Sequence, residues 1–213
     1  VVQAAAENVE PEPVPEVAEP EPKPKPVKTK SQPLSVLTGA SFAITPEIAD
    51  RIRSGGAVTK YKQNIDAVKT MRQIVMEGRR ATVEEQEAMA LYAGFGGIKD
   101  LFAPPYQNYK EAQRWYERQK ELKELIGEDA YKMASASTKN AHFTDPQIVD
   151  RMWTIAEKLG FTKGRMLEPS MGSGNFFGLV PAHLRDKTTF TGVELDKTTG
   201  QMAQLLYPDA NIH

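Results

Sequence analysis

The chain has 213 residues, 26% of them charged, and a formal net charge of −1, so no overall basic footprint marks it for nucleic acid and any DNA contact must come from local patches or from other parts of the protein. It has no cysteine and three histidines, which excludes a disulfide framework and a thiolate zinc site, and no metal is expected. No stretch reaches the ~18 apolar residues of a membrane span, and the acidic, proline-rich start lacks the basic-then-apolar order of a signal peptide. The expectation is therefore a cytoplasmic protein with no membrane partner.

In chain order, prolines alternate with Glu, Val and Lys from Glu7 to Pro33, as in Pro11-Glu12-Pro13 and Pro22-Lys23-Pro24-Lys25-Pro26. Proline fixes φ and removes a donor, so residues 1–36 are expected to be a disordered, extended linker, with a proline-rich ligand for a partner domain as the alternative. A helical module is expected over residues 37–134. Ile65, Val68, Met71, Ile74 and Val75 recur at three- and four-residue spacing, which predicts a helix ending near Gly78. Thr82 with Glu85 three residues on forms a capping-box signature and opens a second helix through Met89, Leu91 and Tyr92. Gly94-Phe95-Gly96-Gly97 breaks it, as a helix stop with a buried aromatic or as a DNA-facing loop. A third helix, Tyr109 to Ile126, carries Trp115, Tyr116, Leu122 and Leu125 on its apolar side. Arg79-Arg80 reads as a solvated helix end, with phosphate contact as the alternative, and both tryptophans, Trp115 and Trp153, read as core.

Residues 135–213 change period. Thr144 and Gln147 read as a second box opening a helix backed by Ile148, Val149, Met152 and Ile155. Arg165 to Glu168 is a short strand, Thr189 to Glu194 a second, and Asn211 to His213 could begin a third. Helices fit Asn175 to Val180 and Thr198 to Leu206. This is the opening of a parallel αβ sheet.

The turn Pro169-Ser170-Met171-Gly172-Ser173-Gly174 joins strand to helix, where free backbone N–H groups make a polar pocket that a ligand can approach closely. It is neither a dinucleotide fingerprint, since Phe177 stands where the third glycine belongs, nor a phosphate loop, since no Gly-Lys-Ser/Thr follows. Taken alone, Gly-Ser-Gly could equally be a plain tight turn. Glu194 ends the next strand, where a carboxylate can accept both ribose hydroxyls of an adenosine ligand or simply be a solvated strand-end acid. Leu195 could lie against an adenine face, and Asp196 reads as the cap of the following helix. His142 could touch a ligand or pack beside the loop.

Three elements together carry a resemblance. Phe143-Thr144-Asp145-Pro146 resembles the Phe/Tyr-Thr-Pro element of amino-group DNA methyltransferases whose cofactor motif precedes their catalytic one. Leu167-Glu168-Pro169-Ser170-Met171-Gly172-Ser173-Gly174-Asn175-Phe176 resembles their Asp-Pro-Ala-Cys-Gly-Ser-Gly-x-Phe loop, with Ser170-Met171 in place of Ala-Cys. Gly192-Val193-Glu194-Leu195-Asp196 resembles their Gly-x-Glu-x-Asp ribose element. The likeness covers about residues 137–213 and is greatest to the large methylase-helicase fusion proteins of phages, plasmids and conjugative elements, in which Leu91-Tyr92-Ala93-Gly94-Phe95-Gly96-Gly97 also has a counterpart.

The resemblance implies a Rossmann-like methyltransferase sheet of which residues 135–213 form the first part, with S-adenosylmethionine as cofactor and DNA adenine N6 as methyl acceptor. The implied cofactor-binding residues are Phe143, Thr144, Glu168, Pro169, Ser170, Gly172, Gly174, Asn175, Glu194 and Leu195. Gly172 and Gly174 would approach the methionine part, Phe143 and Thr144 would close over its end, Glu168 would meet its amino group and Glu194 would hold the ribose. The family's catalytic Asn/Asp-Pro-Pro-Tyr/Phe element is missing, and Ala103-Pro104-Pro105-Tyr106 precedes the loop and lacks the acceptor, so it reads as a rigid turn. No catalytic residue is therefore assigned. The chain opens on Val1 and stops within an αβ pattern, so it is expected to be a segment of a longer polypeptide, inactive alone, with the remaining methyltransferase and a helicase domain as partners in the same chain. The alternatives are a catalytically inactive, methyltransferase-like DNA-binding or structural module attached to a helicase, and a nicotinamide-dependent enzyme.

Overall fold

A computed structural model describes residues 40–103, 110–138 and 143–213, which fall within one compact unit. The expected linker over residues 1–36 lies outside the described residues, as do Pro104, Pro105, Tyr106, Tyr109 and His142.

The helical part begins with α1 (Pro46–Arg53), where the Thr45 hydroxyl accepts from the Ile48 N–H at 3.3 Å and Pro46 supplies a pre-set φ in the first turn. Ile48 and Ile52, four apart, turn into the core. Helix α2 (Ala57–Glu77) stops at Gly78 and buries Ile65, Val68, Met71 and Ile74 along one stripe, as their spacing predicts. Helix α3 (Val83–Ala90) opens on the expected capping box: Thr82 Oγ1 accepts from Glu85 N, and the Glu85 carboxylate accepts from Thr82 N at 2.8 Å. The helix stops before Leu91 and Tyr92, which the periodicity had assigned to it. Arg79 forks onto the same Glu85 and pairs with Glu77, so its charge is spent within the fold and lowers the pKa of the Glu85 carboxyl. A 3-10 turn (Lys99–Phe102) leads to α4 (Lys110–Ile126) and α5 (Glu128–Ser137). Trp115 and Leu122 are buried in α4 as expected, whereas Tyr116 lies on its exposed side under Lys120. The Tyr61 hydroxyl donates to Glu121 at 2.7 Å, with the Arg118 carbonyl 3.0 Å away, and this ties α2 to α4.

Helix α6 (Pro146–Lys158) departs from expectation at its start. Its cap is Asp145, whose carboxylate accepts from Gln147 N at 2.8 Å; the Thr144–Gln147 box does not form. Pro146 at the first helical position makes the residue before it the cap, which excludes Thr144. Val149 and Trp153 face inward, where Trp153 Nε1 donates to the Phe176 carbonyl at 3.0 Å, while Ile148, Met152 and Ile155 are exposed together with Leu159.

The remaining elements are β1 (Gly164–Glu168), α7 (Asn175–Gly178), α8 (Ala182–Arg185), β2 (Thr188–Gly192), α9 (Lys197–Leu206) and β3 (Asn211–Ile212). The fold is mixed α/β, with a three-stranded parallel sheet in the order β1-β2-β3, Glu168 opposite Gly192 and Gly192 opposite Ile212. The helix expected from Asn175 to Val180 is cut short at Gly178: the Leu179 N–H still reaches Asn175 O, Val180 N–H bonds only three residues back to Phe177 O, and Pro181 starts a separate turn. Although β2 formally ends at Gly192, the ladder runs on, Glu194 N–H donating to His213 O at 2.9 Å. Asp196 caps α9 as expected, accepting from Thr199 N at 2.7 Å.

Helices α2 and α3 pack on each other and both pack on α9. One hydrophobic cluster runs through Ile65, Met71 and Met89 of the first two and Met202, Leu206 and Tyr207 at the third. The segment before α1 fastens to the same place, with Phe42 N–H donating to Leu206 O and Ile44 N–H to Gly178 O. Among the described residues, no helix is long and apolar enough to cross a membrane.

Candidate functional site

At the carboxyl ends of β1 and β2, where open parallel sheets place ligands, lies a cavity of about 580 Å³. The size suits a small-molecule ligand. One wall comes from the sheet side: Glu168, Ser170, Met171 and Gly172 after β1, Asn175 and Phe176 on α7, and Glu194, Leu195, Asp196 and Thr199 after β2. The opposite wall is helical and consists of Tyr92, Gly94 and Phe95 after α3 with Met133, Ala134 and Ala136 of α5. Phe143 and Thr144 complete the lining.

The loop after β1 folds back over the end of β2, Met171 N–H donating to Val193 O at 3.1 Å. This brings Gly172 under Glu194. One oxygen of the Glu194 carboxylate accepts from Gly172 N–H at 2.9 Å and the other from Asp196 N–H at 2.8 Å. A carboxylate offers about four acceptor sites, so each oxygen retains one for a ligand hydroxyl while two backbone donors fix its orientation. Leu195 beside it is 88% exposed, an apolar side chain held at the cavity without burial in the fold.

Glu168 lies at the end of β1 with its carboxyl half-buried, and burial raises its pKa above the ordinary value. Among the described residues no cation offsets that cost, so the group is suited to a cationic ligand atom. Asn175, buried at the start of α7, donates through Nδ2 to the Thr144 carbonyl at 3.2 Å and so joins the loop to the segment carrying Phe143. The Phe143 ring meets Tyr92 edge-on with centroids 5.8 Å apart.

Of the ten residues expected to bind cofactor, Phe143, Thr144, Glu168, Ser170, Gly172, Asn175, Glu194 and Leu195 converge on the cavity. Pro169 and Gly174 are not in its lining. Gly174 faces inward, and its missing side chain makes room for the Tyr207 ring and the Met171 methyl. Phe95 is 7% exposed and packs edge-on against Tyr92, which matches a helix stop with a buried aromatic, yet it also reaches the cavity. Trp115 and Trp153 are buried.

Local sequence does not place the helical wall at the site. Met133 and Ala136 carry no polar signature, and only the chain path brings α5 opposite the loop. Tyr92 and Gly94 do belong to the Leu91–Gly97 element singled out in the sequence, but nothing local says that they face residues 168–196. No family model matches the chain, and comparison with curated proteins and with solved structures turns up no match.

Proposed function

We propose that the cavity binds S-adenosylmethionine and that the chain is the cofactor-binding part of a DNA adenine-N6 methyltransferase within a longer protein of the methylase-helicase type. The observation that carries this reading is the Glu194 carboxylate, fixed by the N–H groups of Gly172 and Asp196 at the end of β2, with exposed Leu195 next to it. A vicinal diol fits the acceptor sites left on Glu194, an adenine face fits Leu195, and an ammonium fits the half-buried carboxyl of Glu168. Gly172, Asn175, Phe143 and Thr144 would enclose the part of the ligand between them. When bound, the cofactor would supply an electrophilic methyl group. The residues of this chain bind and orient it, and the acceptor amine would be positioned by an Asn/Asp-Pro-Pro-Tyr/Phe element elsewhere in the protein.

The strands are parallel and the cavity lies at their carboxyl ends, which supports reading the sheet as the start of a Rossmann-like one. Among the described residues β1 pairs only with β2, and Leu167 on β1 and the α6 stripe of Ile148, Met152, Ile155 and Leu159 are exposed. That apolar surface supports further sheet and helix from the same polypeptide covering this side. The lack of the catalytic tetrapeptide from these 213 residues equally suits a module that binds cofactor or DNA without catalysis. Calorimetry with S-adenosylhomocysteine and with NAD tests the cofactor: binding of the first and not the second is expected, and binding of NAD alone overturns the reading. Methyl transfer to an adenine-containing DNA by the full-length protein then separates enzyme from module.

A further inference from the structure

Asn64 sits in the middle of α2 with its side chain fully buried. Its Nδ2 donates to the Gly94 carbonyl at 2.6 Å and its Oδ1 accepts from the Ala93 N–H at 2.9 Å, so both ends of the amide are spent on the turn that follows α3. Burying a carboxamide is costly unless partners are held in place, and here the partners are two consecutive backbone groups of one turn. The turn is thereby pinned to α2.

Gly94 lies in the left-handed region at φ 68°, and a Cβ built on it would overlap the Cε2 edge of the Phe143 ring. The other edge of the same ring meets Gly172, also left-handed at φ 56°, where a Cβ would lie 2.7 Å from Cε1. The ring is therefore seated between two residues without side chains, one from the helical part and one from the loop after β1, with Tyr92 edge-on to it. Gly172 is also the residue whose N–H holds the Glu194 carboxylate. A ring pushed away from position 94 moves toward Gly172, and any shift of Gly172 disturbs the donor that fixes Glu194.

We propose that the turn carrying Ala93 and Gly94, pinned by Asn64, is the seat that positions Phe143 over the ligand loop, making Asn64 and Gly94 positioning residues of the site. This rests on the cofactor reading above and adds to it the α2 residue and the turn that build its far wall. The site then depends on four segments distant in sequence: α2, the turn after α3, the Phe143 segment before α6, and the loop after β1.

The test uses the full chain as wild type, Gly94→Ala, Phe143→Leu and the double variant, with affinity for S-adenosylhomocysteine by calorimetry and melting temperature as the check on folding. With Phe143 present, Gly94→Ala is expected to weaken binding at least about tenfold; with Leu at 143 the ring edge it strikes is gone and only the strain of Ala at a left-handed φ remains, so the same change is expected to cost less than about threefold. Equal losses in both backgrounds, or no loss in folded Gly94→Ala, overturn the proposal. A fluorine label placed on the ring of Phe143 gives a ligand-free readout, its resonance shifting on Gly94→Ala; an unmoved resonance overturns the seat whether or not ligand binds. Should Gly94→Ala fail to fold, Phe143→Trp serves instead, since a larger ring cannot enter a slot fixed on both sides. It is expected to lose binding at least about tenfold with the melting temperature kept, and retained affinity overturns the proposal. A wild-type protein that binds no S-adenosylhomocysteine overturns the cofactor reading and the positioning role together. Binding by the wild type combined with equal losses or an unmoved fluorine overturns the seat alone.

Discussion

Glu194 accepts two backbone hydrogen bonds, one from Gly172 and one from Asp196, so its charge is both oriented and partly compensated before any ligand arrives. Replacing it with Gln keeps the shape but presents an NH2 to one of those donors and removes an acceptor. Glu194→Gln is expected to weaken S-adenosylhomocysteine binding by about ten- to a hundredfold, the worth of a charge-assisted bond at about 1.5–3 kcal/mol; calorimetry showing unchanged affinity would sink the ribose role. Glu168 carries the opposite burden. Burial raises its pKa, so the folded state holds the proton more tightly than the unfolded one. The resulting stability is fully present below the unfolded carboxyl value and is lost as pH rises through the raised folded value. At neutral pH the ligand-free protein therefore bears an unfavourable carboxylate, and Glu168→Gln is expected to raise the melting temperature by about 1–2 °C. A ligand ammonium favours the ionised form, so wild-type affinity is expected to fall as pH drops toward the raised pKa, while the Gln variant binds more weakly with a flat profile. A titration calorimetry series across pH decides it: parallel profiles for the two proteins exclude Glu168 as the ammonium partner.

At the scale of elements, what was legible in the sequence was what is local. The Thr82–Glu85 box needs only two side chains three residues apart, and both of its hydrogen bonds form. The stripe of Ile65, Val68, Met71 and Ile74 is a period within one helix, and it is buried. The same kind of rule misplaced the start of α6, because Thr144 and Asp145 are both competent caps and Pro146 decides between them. The apolar spacing of Ile148, Met152 and Ile155 supports that helix, but amphipathic spacing reports a stripe and not what covers it, and the three are exposed. Helix α1 has a start signal in Thr45-Pro46-Glu47, but its two buried apolar residues are too few to show a period. Helix α5 follows α4 after Gly127 alone, a break with no side-chain cap to mark it. The α3 start has a measurable worth. Thr82→Ala removes one bond of the box and leaves Glu85 held by Arg79, so a loss of about 1 kcal/mol is expected. In urea denaturation the midpoint falls while the slope stays constant; a midpoint unmoved would mean that the Arg79–Glu85 fork alone fixes this helix.

For the whole molecule, the sheet side of the site was legible as three motifs in order, and the helical side was not, because it exists only through the shared core. Met202 and Leu206 on α9 and Tyr207 just after it share a cluster with Ile65 and Met71 of α2 and Met89 of α3. Phe42 and Ile44 complete that contact through backbone bonds to Leu206 and Gly178. Residues 135–213 taken alone would uncover the α9 face and the loop face together. Exposing each large side chain of that cluster costs about 1.5–3 kcal/mol, against a total stability of about 5–15 kcal/mol for a domain. Three or four such losses, about 5–12 kcal/mol, are comparable to it. A fragment of residues 135–213 is therefore expected to show no cooperative thermal transition, whereas residues 37–213 melt in one step with circular dichroism and tryptophan fluorescence coincident, Trp115 reporting on α4 and Trp153 on α6. Two separated transitions in the longer fragment, or a cooperative melt in the shorter one, would show that the sheet stands without the helices. In that case the helical wall would be an appendage to the cavity, and substitutions at Tyr92 or Met133 would leave binding to the sheet-side residues unchanged.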